Sequence, residues 1–177
     1  MPRIPHLRRR SVLMAVAAAG AVGALVSPGA YAAAPAPVTV TYDARAAGEF
    51  TGAVAGAVAA WAEAVDNVTF VPVAPGRVAD VTIVAFDGWS YAEQEEPGRG
   101  TVHIGRRAVD EGYDPTQIAT QELGHILGLD DKKPGSCSSL MSGSTAGTSC
   151  RSLQPDEAER SPVERMFAAR PPVAEAA

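Results

Sequence analysis

The sequence is short of positive charge, of histidine and of cysteine, and each shortage narrows what the chain can be. It carries 15 lysines and arginines against 20 acidic residues, with three histidines and two cysteines. A nucleic-acid-binding domain needs a basic face, so this charge balance argues against a nucleic-acid partner. The 177 residues contain no internal repeat and no low-complexity domain, and their number allows one domain of ordinary size.

Long apolar runs are also scarce, and the longest lies near the N-terminus. A cluster of four arginines between residues 3 and 10 precedes an uncharged run from Ser11 to Val26. Helix-breaking and small residues follow, and Ala30 and Ala32 fit a small-x-small cleavage site. This order predicts a secretory signal peptide at residues 1–32. A membrane anchor is the alternative, although the run is short for a span and no stop-transfer charges follow it.

Export has consequences for the rest of the chain. Removal of residues 1–32 takes away four of the 15 basic residues and none of the 20 acidic ones, which leaves a net charge of −9. Two cysteines in an exported chain, Cys137 and Cys150, predict one disulfide, with two free thiols as the alternative. A bridge there would stabilise the fold by roughly 3 kcal/mol on the chain-entropy model. We expect a secreted, extracellular protein with no membrane association after processing.

The mature chain shows strand patterns around one long helical pattern. Apolar residues recur every three or four positions from about Ala46 to Asp66 and predict a helix. The polar segment at residues 89–100 contains a proline and two glycines and is predicted to be a loop. β-Branched runs predict four strands, at residues 38–42, 68–72, 80–86 and 101–105.

These patterns predict a single domain of mixed α/β (α+β) class with a small sheet. The domain is expected to occupy residues 38–169. Residues 33–37 are expected to be a short linker or residual pro-segment, and residues 170–177 a disordered tail.

The segment QELGHILGLDD, residues 121–131, carries the chemistry. It follows a helix start at Asp114, a suitable N-cap, and Pro115, a suitable first helical residue. Gly128 is a natural C-terminal stop for this helix. The sequence therefore predicts a helix that ends inside the segment, with the chain turning back after it.

The spacing within this segment suits a hydrolytic metal site. Gln121 and His125 are four residues apart and project from one helix face, while Glu122 can reach a water bound between them. Such a site needs three protein ligands, an open position for water and a carboxylate that is not a ligand. The turn at Gly128 allows Asp131 to return as the third ligand.

The motif resembles the signature of the snapalysin family, small secreted zinc endopeptidases of the metzincin group. The resemblance covers roughly residues 36–168 and implies a zincin-like domain with a long N-terminal helix, an active-site helix and a C-terminal helix. The segments that carry it are VTVTYDA, YDPTQIATQELGHILGLDD, CSSLMSG and DEAERSPVERMFA.

The resemblance implies roles for residues around the zinc ion. Glu122 would be the general base that activates zinc-bound water. His125 and Asp131 would be zinc ligands, and Gln121 occupies the position of the remaining ligand. Met141 would be the methionine of the Met-turn, which passes beneath the zinc without coordinating it.

The resemblance also implies two features away from the zinc. Cys137 and Cys150 match the family's disulfide. Asp114, by its carboxylate, and Thr116, by its backbone carbonyl, would bind calcium, for which a plain helix N-cap at Asp114 is the alternative.

The sequence departs from the family pattern in two places, at Gln121 and at the pair Lys132 and Lys133. Gln121 replaces a histidine, and because an amide oxygen is a weaker zinc donor, we expect zinc affinity to fall about 10²-fold or more. Lys132 and Lys133 stand where the family has aromatic character, including a tyrosine. Of the remaining histidines, His6 leaves with the signal peptide, and His103 is predicted to be an exposed strand residue that faces away from the core.

The sequence therefore predicts a monomeric secreted zinc metalloendopeptidase that acts on proteins or peptides, with a weakened metal site. One alternative is a non-catalytic protein on the same scaffold, which would pair an extended peptide with an edge strand at residues 101–105. The other is a structural secreted domain stabilised by calcium.

Overall fold

The computed structural model of the chain describes residues 36–169. The signal peptide predicted at residues 1–32 and the tail predicted at residues 170–177 lie outside the described residues. Between residues 36 and 169, no helix combines the length and the apolar character that a membrane crossing requires.

Five strands form one sheet, and four of them are parallel. In spatial order the sheet runs β2, β1, β3, β5, β4, with only β4 antiparallel to its neighbour. Alternate β-branched residues of the central strands face the core, as in Val81 and Ile83 or Val102 and Ile104. The strands are β1 (Val38–Ala46), β2 (Val68–Pro72), β3 (Val81–Phe86), β4 (Tyr91–Glu96) and β5 (Arg99–Gly105).

Helices cover this sheet and enclose one apolar core. Trp61 is fully buried, and its indole N–H donates to the carbonyl oxygen of Thr120 at 2.8 Å. This hydrogen bond joins the helix Thr51–Ala64 to the helix Pro115–Ile126. The helices are α1 (Thr51–Ala64), α2 (Arg106–Asp110), α3 (Pro115–Ile126) and α4 (Glu157–Ala168), with 3₁₀ segments at Gly48–Phe50 and Leu140–Ala146.

The mixed α/β fold predicted from the sequence is confirmed, and so are the four predicted strands. The long helix predicted from Ala46 to Asp66 is the 3₁₀ turn followed by α1. The short helix α2 was not predicted.

The prediction of a loop at residues 89–100 is wrong, because β4 and the start of β5 form a hairpin there. Pro97 and Gly98 are the two residues between these strands, and Gly98 has a φ of 83°. Proline followed by a glycine of positive φ is the composition of a type II turn, so these residues connect two strands. The polar residues of β4 are tolerated because β4 lies at the sheet edge and remains exposed.

The hairpin also changes which strand is available to a peptide. The sequence placed the edge at residues 101–105, but these residues belong to β5, which lies between β3 and β4. That prediction is therefore wrong: β4 is the edge strand on this side of the sheet, and β2 is the edge on the other side.

Candidate metal centre

Helix α3 carries three of the candidate residues, and its two ends are defined by local hydrogen bonds. The Asp114 carboxylate accepts the backbone N–H groups of Thr116 at 2.8 Å and Gln117 at 3.0 Å, which caps the helix start. At the other end Gly128 has a φ of 98° and donates its N–H to the His125 carbonyl at 3.0 Å. This left-handed residue suits glycine and turns the chain back towards the helix.

The same contacts bear on the predicted calcium site. The Asp114 side chain acts as the helix N-cap, and the Thr116 carbonyl accepts the Thr120 hydroxyl at 2.7 Å. Within residues 36–169, no group of three or more His, Cys, Asp or Glu side chains could hold a metal ion. The structure gives no support to calcium at Asp114 and Thr116, and the N-cap explains why an aspartate stands at this position.

The chain reversal brings Asp131 against the exposed face of α3. Asp131 Oδ1 lies 3.2 Å from His125 Nε2 and accepts the amide N–H of Gln121 at 3.1 Å. His125 Nδ1 lies 2.8 Å from the carbonyl oxygen of Leu129, which can only accept a hydrogen bond. Nδ1 therefore carries a proton, and Nε2 is the ring atom that faces Asp131.

Asp131 has partners on both carboxylate oxygens. Its Oδ2 accepts the Lys133 ammonium at 2.8 Å, in addition to the contacts that Oδ1 makes with Gln121 and His125. Partial burial alone would raise the pKa of Asp131. The hydrogen bond from Lys133 and the charge of His125 outweigh it, and the pKa is lowered. Asp131 is thus an ionised carboxylate.

Glu122 lies beside this group and is buried, with 5% of its surface exposed. Burial raises the pKa of Glu122 to about 8, and the negative charge of Asp131 adds to the effect. A cation bound nearby would lower the pKa again. A carboxyl group that titrates near neutral pH can both accept and return a proton.

Met141 forms the floor beneath the helix. It is fully buried in the 3₁₀ segment Leu140–Ala146, and its sulfur would lie 2.6 Å from a Cβ atom added at Gly124. A side chain at residue 124 would therefore force Met141 to shift, and glycine lets the segment lie close to α3.

Glu159 of α4 holds this floor in place through hydrogen bonds. Glu159 was not identified as a site residue from the sequence. Its carboxylate, 1% exposed, accepts the Ser139 hydroxyl at 2.5 Å and the Met141 N–H at 2.9 Å. Lys132 approaches from the other side, with its ammonium 3.3 Å from Glu159 and its N–H donating to the Met141 carbonyl at 2.8 Å. Asp156 and Glu159 also form a capping box, and this D-x-x-E spacing was the available sequence signal.

The predicted disulfide is confirmed. Cys137 and Cys150 are bonded, with their Cα atoms 5.1 Å apart, and the free-thiol alternative is thereby excluded. The bridge closes a loop that contains the 3₁₀ segment Leu140–Ala146, so it restrains the floor of the site.

An open cavity of about 520 Å³ lies over these side chains. Edge strand β4 forms one wall with Tyr91, Ala92 and Gln94, and α3 forms another with the candidate site residues. Trp89 and Tyr113, which pack edge to face at 6.0 Å, line it as well. The cavity is large enough for several residues of a peptide and is open to solvent.

His103 does not take part in this group. Its ring stacks on Tyr91 with centroids 4.3 Å apart, and its Nε2 lies 3.3 Å from a Glu93 carboxylate oxygen. It is half-buried in this contact, so the prediction of an exposed residue is wrong. His103 is absent from the residues that line the cavity and offers no substitute for the missing histidine.

The group offers two donors of the types that zinc favours, His125 and Asp131, and one weak donor, Gln121, so among the described residues it is one short of three usual zinc ligands. Zinc bonds of about 2.0–2.2 Å in a tetrahedron place two ligand atoms about 3.3–3.6 Å apart. His125 Nε2 and Asp131 Oδ1 are 3.2 Å apart, close to this value. Gln121 can present its carbonyl oxygen after rotation of the amide, since the oxygen and nitrogen ends exchange places.

Comparison with known proteins gives consistent matches. A family model described as the Streptomyces extracellular neutral proteinase (M7) family matches residues 37–170. An extracellular small neutral protease of Streptomyces coelicolor is 43% identical over 144 residues, which are 80% of this chain and 63% of that protein. A protein of the same name from Streptomyces sp. strain C5 is 37% identical over 135 residues, 75% of this chain and 58% of that protein.

A third relative is matched over nearly its whole length. The extracellular small neutral protease of Streptomyces caespitosus is 37% identical over 135 residues, 74% of this chain and 98% of that protein. The chain thus spans less than two thirds of the first two relatives and almost all of the third.

Proposed function

Because the chain belongs to the Streptomyces extracellular neutral proteinase family, we propose that it is a secreted zinc metalloendopeptidase that hydrolyses peptide bonds in proteins. The observation that carries this proposal is the convergence of Glu122 with the His125–Asp131 pair in an open cavity. The names of the relatives support peptidase activity and do not favour a non-catalytic peptide-binding role.

His125, Asp131 and, more weakly, Gln121 are the residues that would hold zinc. Zinc in such a site polarises the scissile carbonyl and lowers the pKa of the attacking water. His125 is oriented for this task by its Nδ1 proton on the Leu129 carbonyl. Met141 packs beneath the ligands, against Gly124 of the helix.

Glu122 would act as the proton carrier. Its carboxylate accepts a proton from the water that attacks the scissile carbonyl carbon, and a C–O bond forms there. The C–N bond then breaks, and Glu122 returns the proton to the departing amine nitrogen. The burial of Glu122 supports this role, because a buried carboxyl group would be held in position for both transfers.

The edge strand β4 would position the substrate. An extended peptide can continue the sheet at this edge and would then lie along the cavity wall formed by Tyr91, Ala92 and Gln94. A peptide in this position would lie opposite α3, with its backbone facing Glu122 and the proposed zinc ligands.

The proposal is tested by replacing the proton carrier. Glu122→Gln is expected to reduce casein hydrolysis about 10²–10⁴-fold without loss of folding, because an amide cannot accept the proton of the attacking water. Glu63→Gln is a matched control, since Glu63 is exposed on α1 and contacts only the Gln154 amide among its described hydrogen bonds. Equal hydrolysis by Glu122→Gln and the unmodified protein would refute the mechanism.

Secretion is proposed through the signal peptide at residues 1–32, which would release a monomeric domain at residues 38–169 with any short N-terminal extension. Relatives named as extracellular proteases support this localisation. The intact mass of the protein recovered from culture medium is expected to correspond to a chain beginning near Ala33, and a retained Met1 would refute cleavage.

A further inference from the structure

Lys133 brings a positive charge to the candidate metal centre. Its side chain lines the cavity, and its ammonium lies 2.8 Å from Asp131 Oδ2. The preceding residue, Lys132, points elsewhere, with its ammonium 3.2 Å from Asp156 and 3.3 Å from Glu159. The two adjacent lysines therefore have separate tasks: Lys132 supports the floor of the site, and Lys133 occupies its open side.

Both carboxylate oxygens of Asp131 contact protein groups in this arrangement. Gln121 donates its amide N–H to Oδ1 and Lys133 donates to Oδ2, while His125 Nε2 lies 3.2 Å from Oδ1. A carboxylate ligand must present a lone pair and its negative charge to a metal ion. In this structure, lone pairs and negative charge of Asp131 are already used in contacts with Gln121 and Lys133. Both of these residues depart from the family pattern.

The charge of Lys133 also acts directly on a bound dication. At water-like dielectric, a monovalent and a divalent cation about 5 Å apart repel each other enough to weaken binding roughly tenfold. Lys133 has 60% of its side chain exposed, so solvent screens its charge and the ion pair with Asp131 is weak. A weak pair on a long, exposed side chain can open when a stronger cation arrives.

We infer that Lys133 competes with zinc for Asp131, so that zinc enters only when the Lys133 ammonium leaves the carboxylate. This inference rests on the proposed function, in which His125 and Asp131 are zinc ligands. Gln121 acts in the same direction, because its amide must break its hydrogen bond to Asp131 and rotate before its oxygen can face the metal. Both residues would therefore lower the zinc affinity of the site.

The experiment measures zinc affinity directly on the chelator-treated, secreted protein, by competition with a chromogenic chelator. Lys133→Met keeps the apolar stem and removes the charge, and it is expected to raise zinc affinity about tenfold. Lys133→Gln, a second neutral variant, is expected to act in the same direction. Lys133→Arg keeps the charge and can pair with the carboxylate at least as well, so it is expected to bind zinc no more tightly than the unmodified protein.

Arg160→Met is the matched control for a change of net charge. Arg160 lies on α4, pairs with Glu157 and is absent from the residues that line the cavity. Its replacement is expected to leave zinc affinity unchanged, whereas a rise equal to that of Lys133→Met would overturn the inference by assigning the effect to net charge.

The remaining outcomes separate this inference from the proposed function. Unchanged affinity in both neutral Lys133 variants, with higher affinity in Gln121→His, would overturn the inference and leave the zinc site standing. Failure of every variant to bind zinc, Gln121→His included, would overturn the proposed function and the inference with it.

Discussion

At the scale of the residue, Gln121 would set how well the proposed site holds zinc. It stands at the correct place on α3 and reaches Asp131 with its amide N–H at 3.1 Å. Its oxygen is neutral, as a histidine ring nitrogen is, but it is a harder donor and is not among the usual ligands of zinc. The position is thus geometrically suitable and chemically weak.

Gln121→His is therefore expected to raise zinc affinity about 10²-fold, because it restores two nitrogen ligands and one carboxylate around an open position. Calorimetric titration of zinc into the chelator-treated protein measures the change. Gln117→His is a matched control one turn earlier on α3, where the side chain also lines the cavity. Tight, stoichiometric zinc in the unmodified protein would contradict the claim that Gln121 is a weak ligand.

Glu159 contributes to the stability of the fold, because its buried carboxylate accepts hydrogen bonds from the segment that carries Met141. Burial alone would raise the pKa of its carboxyl group. Hydrogen bonds from the Ser139 hydroxyl and the Met141 and Asp156 N–H groups outweigh burial, with help from the Lys132 charge, and the pKa is lowered. A lowered folded-state pKa means that the ionised form stabilises the protein at neutral pH.

Glu159→Gln is expected to lower the free energy of unfolding by about 1.5–3 kcal/mol at pH 7, the usual cost of losing hydrogen bonds to a buried charge. The contribution is fully present above the unfolded-state pKa and is lost as the pH falls through the lower folded-state pKa. Urea unfolding at pH 7 and at pH 3 should therefore show the difference between variant and unmodified protein shrinking on acidification. Glu157→Gln, exposed on the same helix, is the control, and a pH-independent difference would contradict the assignment.

The sequence predicted some of these residues and not others, for a physical reason. His125 and Asp131 are six residues apart, and the turn at Gly128 brings them together, so local spacing was sufficient. Glu159 and Lys132 are far apart in the chain and meet Met141 only after α4 has packed. No local pattern specifies that meeting, although the D-x-x-E capping box marked the start of α4.

At the scale of the element, the approach of the 3₁₀ segment to α3 depends on the absence of one side chain. Gly124 lies where a Cβ atom would be 2.6 Å from the Met141 sulfur and 3.1 Å from the Trp61 ring. Glycine within a helix costs about 1 kcal/mol relative to alanine, so helix propensity alone favours replacement. Packing opposes it, because Met141 and Trp61 are both fully buried and have little room to move.

Gly124→Ala is expected to lower the free energy of unfolding by up to about 2 kcal/mol, because an overpacking cost of about 1–3 kcal/mol equals or exceeds the gain in propensity of about 1 kcal/mol. Gly52→Ala is the matched control: Gly52 lies in α1, and an added Cβ there meets nothing within 4 Å. The control should be neutral or more stable by up to about 1 kcal/mol. Thermal unfolding of both variants measures the contrast, and equal stabilisation would show that Met141 does not press on α3.

The β4–β5 hairpin shows where pattern reading fails for an element. Segment 89–100 is rich in glutamate and lacks the apolar alternation of a half-buried strand, so it favours a loop. An edge strand that remains exposed needs no apolar face, and backbone pairing with β5 is sufficient to form it. The Pro97–Gly98 pair is typical of a β-turn. A turn alone does not predict a hairpin, because the two flanking segments must also pair as strands.

At the scale of the whole molecule, the resemblance to the snapalysin family is confirmed by a family match over residues 37–170. It was recognisable because several short motifs occur in one order along the chain, and no single motif would have sufficed. Fold and family could be predicted in this way. The contacts particular to this chain, above all those of Gln121 and Lys133 with Asp131, required the structure, because relatives of different sequence do not specify them.

The disulfide is expected to persist in the oxidising environment outside the cell, and there it would stabilise the segment that carries Met141. It joins Cys137 to Cys150 around the segment that carries Met141, so loss of the bridge frees this segment in the unfolded chain. The double variant Cys137→Ser, Cys150→Ser is expected to lower the free energy of unfolding by about 3 kcal/mol. Urea unfolding measures this loss, and reductant should lower the stability of the unmodified protein without affecting the double variant. Equal stability of both proteins under oxidising conditions would show that the bridge contributes little and that the core alone holds the floor of the site.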